Sequence, residues 1–479
     1  MTDRAAPHLF VIFGATGDLA HRKLLPALCR LARRGLLGVR YAVLGAARDA
    51  KMNDDGYRAW ARGALAEAGV PADEIAALCE RRLYYQPIGE GRPVDYRALA
   101  DRIDPLDREH RLGGNRAFYL ALPAAAFPPT IAGLGEAGLN RAAGWTRLVI
   151  EKPFGRDLAS ARELNRLVHL HFDESQIYRI DHYLGKETVQ NLLVFRFSNA
   201  IFESLWNRDR VESIEITVAE DLGVGSRART YEQAGALRDM VQNHLTQLLT
   251  LIAMEVPAAF EADAIRYEKA KVLRAVQPIG RDEVVFGRYA RGTVDGREVP
   301  GFAEEPGVTA DAKAETFVAL RLSLDTWRWQ GVPFFLRTGK RLARRVTQIA
   351  VNFRRAPVCL FESLGSCLVH ANVLVMTLQP DEGFSLYFDV KRPGDPLALE
   401  TLPLHFHYQE AFGAIPEAYE TLLLDVLTGD QTLFVHADEV ESSWRIYAPL
   451  LTMPIERHAY AAGSWGPRAA ERLFPRPPR

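Results

Sequence analysis

The sequence predicts an α/β domain with a parallel sheet, followed by a region of half-exposed antiparallel strands. In the first part, short apolar runs alternate with helical stretches, as in HLFVIF (8–13) followed by RKLLPALCRLARRG (22–35). Such strand–helix alternation is typical of parallel strands joined by crossover helices. After about residue 200, apolar and polar residues alternate with period two, as in VESIEITVA (211–219), which indicates antiparallel strands packed on one face.

The remaining elements follow the same two patterns. The parallel part continues with YAVLGAAR (41–48), RAFYLAL (116–122) and TRLVIE (146–151). The antiparallel part continues with ETFVALRLSL (315–324), VTQIAVNF (346–353), VLVMTLQ (373–379) and FSLYFDV (384–390). The arginine- and proline-rich end, ERLFPRPPR (471–479), is predicted to fray.

The composition is that of a soluble globular protein. A chain of 479 residues, with 48% hydrophobic and 25% charged residues, is long enough for roughly two or three domains. Lysine and arginine total 59 against 60 aspartate and glutamate, a formal net charge of -1. This balance argues against nucleic acid or an anionic membrane as the main partner, because both select basic surfaces. A small anionic substrate stays open.

Cysteine usage predicts a reducing compartment. The chain has no C-x-x-C pair and four cysteines, Cys29, Cys79, Cys359 and Cys367. That is too few for a disulfide scaffold of this size. The start lacks the pattern of a signal peptide, and the most apolar run, at 248–260, is too short to cross a bilayer. We therefore expect a soluble cytoplasmic protein.

A glycine turn follows the first predicted strand. In FGATGDL, Gly14 and Gly17 stand between the strand and a helix. Glycines there allow a tight turn and close approach of the backbone to a pyrophosphate at the helix N-terminus. The spacing is G-x-x-G-x-x-A instead of G-x-G-x-x-G, so a plain turn stays open at this point. A phosphate-binding P-loop is excluded because no G-K-[ST] follows.

The end of the next predicted strand bears on the choice of dinucleotide. NAD sites commonly place an acidic residue there for the ribose 2′-hydroxyl, whereas NADP sites place an arginine for the 2′-phosphate. This strand ends with Arg48 followed by Asp49. Arg48 favours NADP and Asp49 leaves NAD open, while an arginine that contacts only solvent is the alternative.

A short-chain dehydrogenase would also begin with a G-A-T-G turn. Its chemistry needs Tyr-x-x-x-Lys, and Tyr183 and Lys186 are one residue too close together. Tyr267 and Lys271 have the spacing but lie well past the first sheet. We therefore set that family aside.

A histidine lies on the apolar face of a predicted helix at 235–255. His244 shares this face with Leu237, Met240, Val241, Leu245, Leu248 and Ile252. It is either a core histidine or a general base, and a base needs a carboxylate to orient its second nitrogen. On an α-helix Asp239, five residues earlier, would point about 140° away from His244. We therefore expect the carboxylate to come from elsewhere, and Asp181 is the candidate.

Taken together, these stretches resemble the glucose-6-phosphate dehydrogenase family. The matching motifs, in the family's order, are FGATGDLAHRKLLPAL, YLALP, EKPFGRDL, RIDHYLGKETVQNLLVFRFSN, LWNR, RDMVQNHLTQLL and FFLRTGKRL. The resemblance covers about residues 10 to 345, and DHYLGKE is its most specific signature. It implies an α/β Rossmann domain at 1–180 and a larger α+β domain at 181–479, whose extended, mainly antiparallel sheet would form a homodimer or homotetramer.

The resemblance also implies roles for individual residues. The family's base matches His244, and its orienting carboxylate matches Asp181. Its sugar-phosphate contacts match His182, Tyr183 and Lys186. Its further substrate contacts match Lys152, Glu220, Asp239, Lys340 and Arg345. Its cofactor contacts match Gly14, Thr16, Gly17, Asp18, Leu19, Lys23, Arg48 and Lys152. The Lys152–Pro153 bond resembles one that is cis in the family, whereas His21 departs from it, standing where lysine is common.

The implied activity is oxidation of the C1 hydroxyl of glucose 6-phosphate to the lactone, in the oxidative pentose phosphate pathway. NADP is the expected cofactor, with NAD use open, and no metal is expected. One alternative is an enzyme of the glucose–fructose oxidoreductase kind, which would not need the phosphate cluster of the RIDHYLGKE stretch. Another is a dinucleotide-sensing regulator that has lost the chemistry.

Overall fold

The computed structural model describes residues 4–225, 228–309, 312–358, 369–395 and 397–474. In chain order its strands are β1 His8–Phe13, β2 Tyr41–Ala47, β3 Leu83–Pro87, β4 Arg116–Leu120, β5 Thr146–Glu151, β6 Ile177–Ile180, β7 Val211–Ala219, β8 Val284–Ala290, β9 Gly292–Val294, β10 Arg297–Val299, β11 Phe317–Ser323, β12 Pro333–Gly339, β13 Val346–Phe353, β14 Val373–Gln379, β15 Gly383–Lys391, β16 Leu399–His407, β17 Phe434–Val435 and β18 Arg457–Ala461.

The α-helices alternate with strands in the first part of the chain and lie between longer groups of strands afterwards. They are α1 Leu25–Arg33, α2 Asp54–Glu67, α3 Ala72–Arg81, α4 Pro93–His110, α5 Phe127–Glu136, α6 Leu158–His171, α7 Glu187–Ser198, α8 Ala200–Glu203, α9 Ala228–Ala236, α10 Thr246–Ala253, α11 Ala262–Ala275, α12 Tyr408–Phe412, α13 Ala418–Thr428 and α14 Ala437–Thr452. Within the described residues, π-helices at Ala20–Leu24 and Leu237–Leu245 directly precede α1 and α10.

The first compact unit contains Met1–Lys186, Ala259–Arg266 and Pro416–Glu441. Its sheet has the order β17-β6-β5-β4-β1-β2-β3. The strands are parallel except at β17, which pairs antiparallel with β6. The order 3-2-1-4-5-6 is that of a dinucleotide-binding Rossmann sheet, with its crevice where the order reverses between β1 and β4. This confirms the predicted α/β Rossmann domain.

The second compact unit contains Glu187–Ala258, Tyr267–Ile415 and Ser442–Arg479. Its main sheet has the order β16-β15-β14-β13-β7-β12-β11-β8-β18. The pairing is mainly antiparallel, as predicted, and the β7–β12 and β8–β18 pairs are parallel. The predicted division into 1–180 and 181–479 stays a prediction, and each unit is made of several segments of the chain.

The structure locates two of the four cysteines and the start of the C-terminal tail. Cys29 and Cys79 are free and buried, while Cys359 and Cys367 lie outside the described residues. The start of the tail does not fray, because Leu473 and Phe474 are 8% and 4% exposed and pack in the core of the second unit. Residues 475–479 lie outside the described range. Each helix in the described residues is too short or too polar to span a bilayer.

Candidate active site

The glycine turn of the first unit has the geometry that the sequence predicted. Gly14 follows β1 with φ +77, and the Gly17 N–H donates to the Gly14 carbonyl at 2.9 Å. A Cβ on Gly14 would collide with the Ala121 carbonyl oxygen, so both the backbone angle and the close approach require glycine. The turn therefore presents bare backbone at the carboxyl end of β1.

A cleft of about 570 Å³ opens beside this turn, at the carboxyl ends of β1 to β4. Of the predicted cofactor contacts it is lined by Gly14, Thr16, Gly17 and Arg48. The lining also includes residues that sequence reasoning missed, namely Ile88, Gly89, Glu90, Gly91, Tyr96, Ala121, Leu122, Pro123, Ala126, Pro129 and Thr130. The paired glycines of IGEG after β3 were an available signal. The glycine turn, the volume of the cleft and its position at the carboxyl ends of the strands all fit a dinucleotide.

The rim of the cleft carries charges of both signs. Arg48 and Asp49 both line it, as does Glu90. The Asp49 carboxylate accepts the Lys51 backbone N–H at 2.9 Å, which holds it in a local turn. The arginine could bind the 2′-phosphate of NADP, and a carboxylate could accept the ribose 2′-hydroxyl of NAD. The charges at the rim are therefore compatible with both cofactors.

The other predicted cofactor contacts near the turn lie outside the lining of this cleft. Asp18 pairs with Arg22 at 2.7 Å, and Leu19 packs against the core of the first unit. The Lys23 Nζ lies 3.1 Å from a carboxylate oxygen of Glu417. Lys23 therefore has an acidic partner from a distant part of the sequence, which no local motif indicated.

Lys152 follows a carboxylate held by two tyrosines. Tyr119 and Tyr419 donate their hydroxyls to Glu151 Oε1 at 2.5 and 3.1 Å. Burial raises the pKa of Glu151, and the two tyrosine hydrogen bonds oppose that rise. The Lys152–Pro153 bond is cis, as the resemblance implied.

The RIDHYLGKE stretch continues from the neighbouring strand. β6 pairs with β5 so that Ile180 lies opposite Glu151, and the residues after each strand, Asp181 and Lys152, leave the same edge of the sheet. Asp181 is 2% exposed and accepts the Tyr183 backbone N–H at 3.0 Å. This short-range hydrogen bond fixes the turn that follows β6.

Three predicted phosphate contacts come together in that turn. The Lys186 Nζ lies 4.2 Å from the centroid of the Tyr183 ring, and the His182 ring lies edge-on to the same ring at 5.0 Å. The aromatic face stabilises the ammonium and limits where it can lie. An imidazole, a phenol and an ammonium grouped in this way are suitable donors for a phosphate.

In the second unit, Glu220 and Lys340 follow the paired ends of two parallel strands. Ala219 of β7 lies opposite Gly339 of β12, so the next residues emerge side by side. The Lys340 Nζ, on a side chain only 4% exposed, lies 2.5 Å from Glu220 Oε2. The strand pairing thus explains why two residues far apart in sequence form one ion pair.

Tyr231 joins this pair to Asp239. The Lys340 Nζ lies 5.0 Å from the centroid of the Tyr231 ring. Burial is the main cause that raises the pKa of Tyr231 well above its usual value. Negative charge nearby adds to the rise, and it comes from Asp239, Glu315, Glu220 and Tyr460. The structure therefore brings the Glu220–Lys340 ion pair to a buried tyrosine that sequence reasoning missed, and the charge of Asp239 also acts on this tyrosine. Arg345 is exposed just before β13.

His244 lies in a π-helix, not in the α-helix that the sequence predicted. The segment Leu237–Leu245 is π-helical, and the Thr246 N–H donates to the Val241 carbonyl five residues back. Residues five apart stack in such a turn, so the 140° separation expected for Asp239 and His244 does not hold. The apolar spacing was nonetheless right, because His244 is 1% exposed among buried neighbours. Asp181 belongs to the first unit, and its pairing with His244 stays a prediction.

Family models match nearly the whole chain. A glucose-6-phosphate dehydrogenase NAD binding domain matches residues 11–191, and a glucose-6-phosphate dehydrogenase C-terminal domain matches residues 193–478. The glucose-6-phosphate 1-dehydrogenase of Aggregatibacter actinomycetemcomitans is 44% identical over 474 residues, which are 97% of this chain and 95% of that protein. The enzyme of the same name from Bacillus subtilis (strain 168) is 42% identical over 483 residues, covering 99% and 98%.

Solved structures agree with the sequence comparisons. A glucose-6-phosphate dehydrogenase in complex with its substrate glucose-6-phosphate has a TM-score of 0.91 at 34% identity, covering 99% of this chain and 98% of the other. The glucose-6-phosphate 1-dehydrogenase from Mycobacterium avium has a TM-score of 0.83 at 37% identity, covering 98% and 97%. The chain therefore belongs to the glucose-6-phosphate dehydrogenase family.

Proposed function

We propose that this chain oxidises the C1 hydroxyl of glucose 6-phosphate to 6-phosphoglucono-1,5-lactone in the oxidative pentose phosphate pathway. The observation that carries the proposal is the family match, which spans both units and includes every predicted site motif. The dinucleotide cleft of the first unit and the charged cluster around Tyr231 in the second support it. The enzyme would act in the cytoplasm.

Proton removal is assigned to His244. A buried neutral imidazole can accept the C1 hydroxyl proton, and Asp181 would fix its tautomer and stabilise the imidazolium that forms. His244 and Asp181 are 1% and 2% exposed, and such low exposure favours strong electrostatic coupling to a bound ligand. The bound nicotinamide supplies the hydride acceptor.

The proposed substrate contacts form two groups, one for the phosphate and one for the rest of the sugar. His182, Tyr183 and Lys186 would hold the phosphate, and their mutual packing in the turn after β6 supports this role. The remaining proposed substrate contacts are Lys152, Glu220, Asp239, Lys340 and Arg345. Carboxylates and ammoniums together can bind the sugar hydroxyls as acceptors and donors.

NADP is the proposed cofactor, and NAD is a second acceptor. The proposed cofactor contacts are Gly14, Thr16, Gly17, Asp18, Leu19, Lys23, Arg48 and Lys152. Arg48 at the end of β2 supports recognition of a 2′-phosphate, while Asp49 beside it supports binding of a free 2′-hydroxyl. The functional form would be a homodimer or homotetramer.

The test is to mix the protein with glucose 6-phosphate or free glucose and each cofactor, and to follow nicotinamide reduction. We expect turnover with glucose 6-phosphate and little with glucose. Lys186→Ala should raise KM for glucose 6-phosphate far more than for glucose, because only the former loses a phosphate contact. Lys271→Ala removes an exposed lysine of α11 and serves as control. Equal effects of Lys186→Ala on both sugars would contradict the phosphate role.

A further inference from the structure

The first turn of α13 lies beside three motifs of the first unit. The segment that carries it, Pro416–Glu441, follows most of the second unit in sequence yet belongs to the first. Glu417 directly precedes the helix, and its N–H donates to Glu420 Oε1 at 3.4 Å. The Glu417 carboxylate itself lies within ion-pair distance of two cations outside the helix, Lys23 and Arg30.

That carboxylate holds Lys23. The Lys23 Nζ lies 3.1 Å from Glu417 Oε2, with the two side chains 44% and 47% exposed. Arg30 of α1 lies 3.5 Å from the same oxygen. An ion pair this exposed contributes little to the stability of the fold. Its main physical effect is to restrict a long, flexible side chain that follows the glycine turn.

The helix start itself is firmly attached to α1. Arg30 Nε lies 2.6 Å from Glu420 Oε1, and Arg34 Nη1 lies 3.4 Å from Glu420 Oε2. Glu420 is 5% exposed, while the Arg34 side chain is 45% exposed. The ion pairs of Glu420 attach the start of α13 to α1 and so help to place Glu417 beside Lys23.

The same turn contacts the two other motifs. Tyr419 donates its hydroxyl to Glu151, the residue before Lys152, at 3.1 Å. Gly185 of RIDHYLGKE approaches so closely that a Cβ there would lie 2.7 Å from the Ala418 carbonyl oxygen. Residues 417–419 therefore contact Lys23, which follows the glycine turn, Glu151 of the Glu-Lys-Pro segment and Gly185 of the phosphate turn.

We propose that Glu417 is a positioning residue for cofactor binding, which holds the Lys23 ammonium ready to meet the anionic dinucleotide. This inference rests on the proposed function, in which Lys23 contacts the cofactor. Ordering a flexible side chain in advance removes a cost of about 0.5–1.5 kcal/mol from binding. That range corresponds to a roughly 2- to 10-fold effect on affinity.

The test compares Glu417→Gln with wild type. We expect KM for NADP+ to rise roughly 2- to 10-fold, with kcat within about twofold and the melting temperature little changed. Glu80→Gln is the matched control, because the Arg62–Glu80 pair of the first unit is also exposed, at 46% and 60%, and is not part of the site. A lower KM in Glu417→Gln would mean that Glu417 competes with the ligand, and an unchanged KM would mean that it has no role; either result overturns the inference.

A double-mutant cycle tests whether Glu417 changes KM for NADP+ through Lys23. In a Lys23→Met background, Glu417→Gln should no longer change KM, because the group it positions is gone. An equal rise in both backgrounds would show that Glu417 does not act through Lys23. If wild type reduces neither cofactor with glucose 6-phosphate, the proposed function fails. Equilibrium binding of NADP+ to the same four proteins then still decides the role of Glu417.

Discussion

His244 combines deep burial with an unusual backbone. Its side chain is 1% exposed, and its backbone N–H donates to the Asn243 side-chain oxygen at 2.6 Å. π-Helical turns cost hydrogen-bond geometry and occur frequently at functional sites. A second π-helix in the described part of the chain, Ala20–Leu24, carries Lys23. Each of these two π-helices therefore contains a residue proposed to contact the reactants.

Replacing His244 by Asn should remove the general base and keep a polar side chain of similar size. We expect kcat to fall about 10²–10⁴-fold, because general base catalysis typically contributes that much. KM for glucose 6-phosphate should change only a few-fold. Steady-state kinetics would check this, with His458→Asn as the control, because His458 is a partly exposed histidine of β18. Turnover of His244→Asn within a few-fold of wild type would rule out the assignment.

Single residues were predictable where neighbours in sequence are neighbours in space. His182, Tyr183 and Lys186 could be predicted as one cluster because a single turn after β6 groups them. Tyr231 and Tyr419 could not, because their partners Lys340 and Glu151 lie more than a hundred residues away in the sequence. No local spacing records such contacts.

The tyrosine pair around Glu151 predicts a pH effect. Burial raises the pKa of Glu151, and hydrogen bonds from Tyr119 and Tyr419 lower it, together with the charge of Lys152, while Asp181 raises it. Tyr419→Phe removes one lowering contribution, so the pKa should rise further. If ionised Glu151 orients Lys152, the acid limb of the kcat/KM profile should move to higher pH.

Measuring kcat/KM against pH for wild type and Tyr419→Phe checks this sign. Tyr84→Phe is the control, since it also removes a partly buried hydroxyl contact of the first unit, to His110 at 2.7 Å. An acid limb that stays in place, or moves to lower pH, would show that the charge of Glu151 does not support the reaction.

Strands were easier to predict than helix type. The predicted bounds of β7 and β13 equal the observed ones, Val211–Ala219 and Val346–Phe353, because alternation with period two marks both ends of a half-buried strand. The predicted α-helix at 235–255 is π-helical over Leu237–Leu245. Apolar spacings of three and four specify a buried face, but they do not distinguish a turn of i to i+4 from one of i to i+5.

The order of the chain does not reveal the makeup of the two units. Pro416–Glu441 adds α13 and β17 to the Rossmann unit, where β17 pairs with the edge strand β6. The apolar residues of this segment predict a buried helix. Their pattern does not indicate which of the two sheets the helix packs against. The same limit applies to the tail, whose Phe474 packs its ring against Arg337, 4.3 Å from the guanidinium carbon, although arginine and proline surround it in sequence.

The edge of the second sheet bears on assembly. β16 is an edge strand, and Leu402, Leu404 and Phe406, which alternate on one face, are 44%, 64% and 40% exposed. Exposed apolar rows on long edge strands are avoided in monomers because they promote association. A second copy of this chain packed on the extended sheet, as the family resemblance implied, would cover them.

Leu404→Glu places a charge in the middle of that row and should shift the protein to a smaller assembly. The free energy of association should weaken because burying an unpaired carboxylate is costly, while the fold of the subunit stays intact. Light scattering after size-exclusion chromatography would measure the mass, and circular dichroism would check the fold. Leu170→Glu is the matched control, because Leu170 of α6 is similarly exposed, at 63%, in the first unit. An unchanged mass for Leu404→Glu, or an equal shift for Leu170→Glu, would place the interface elsewhere.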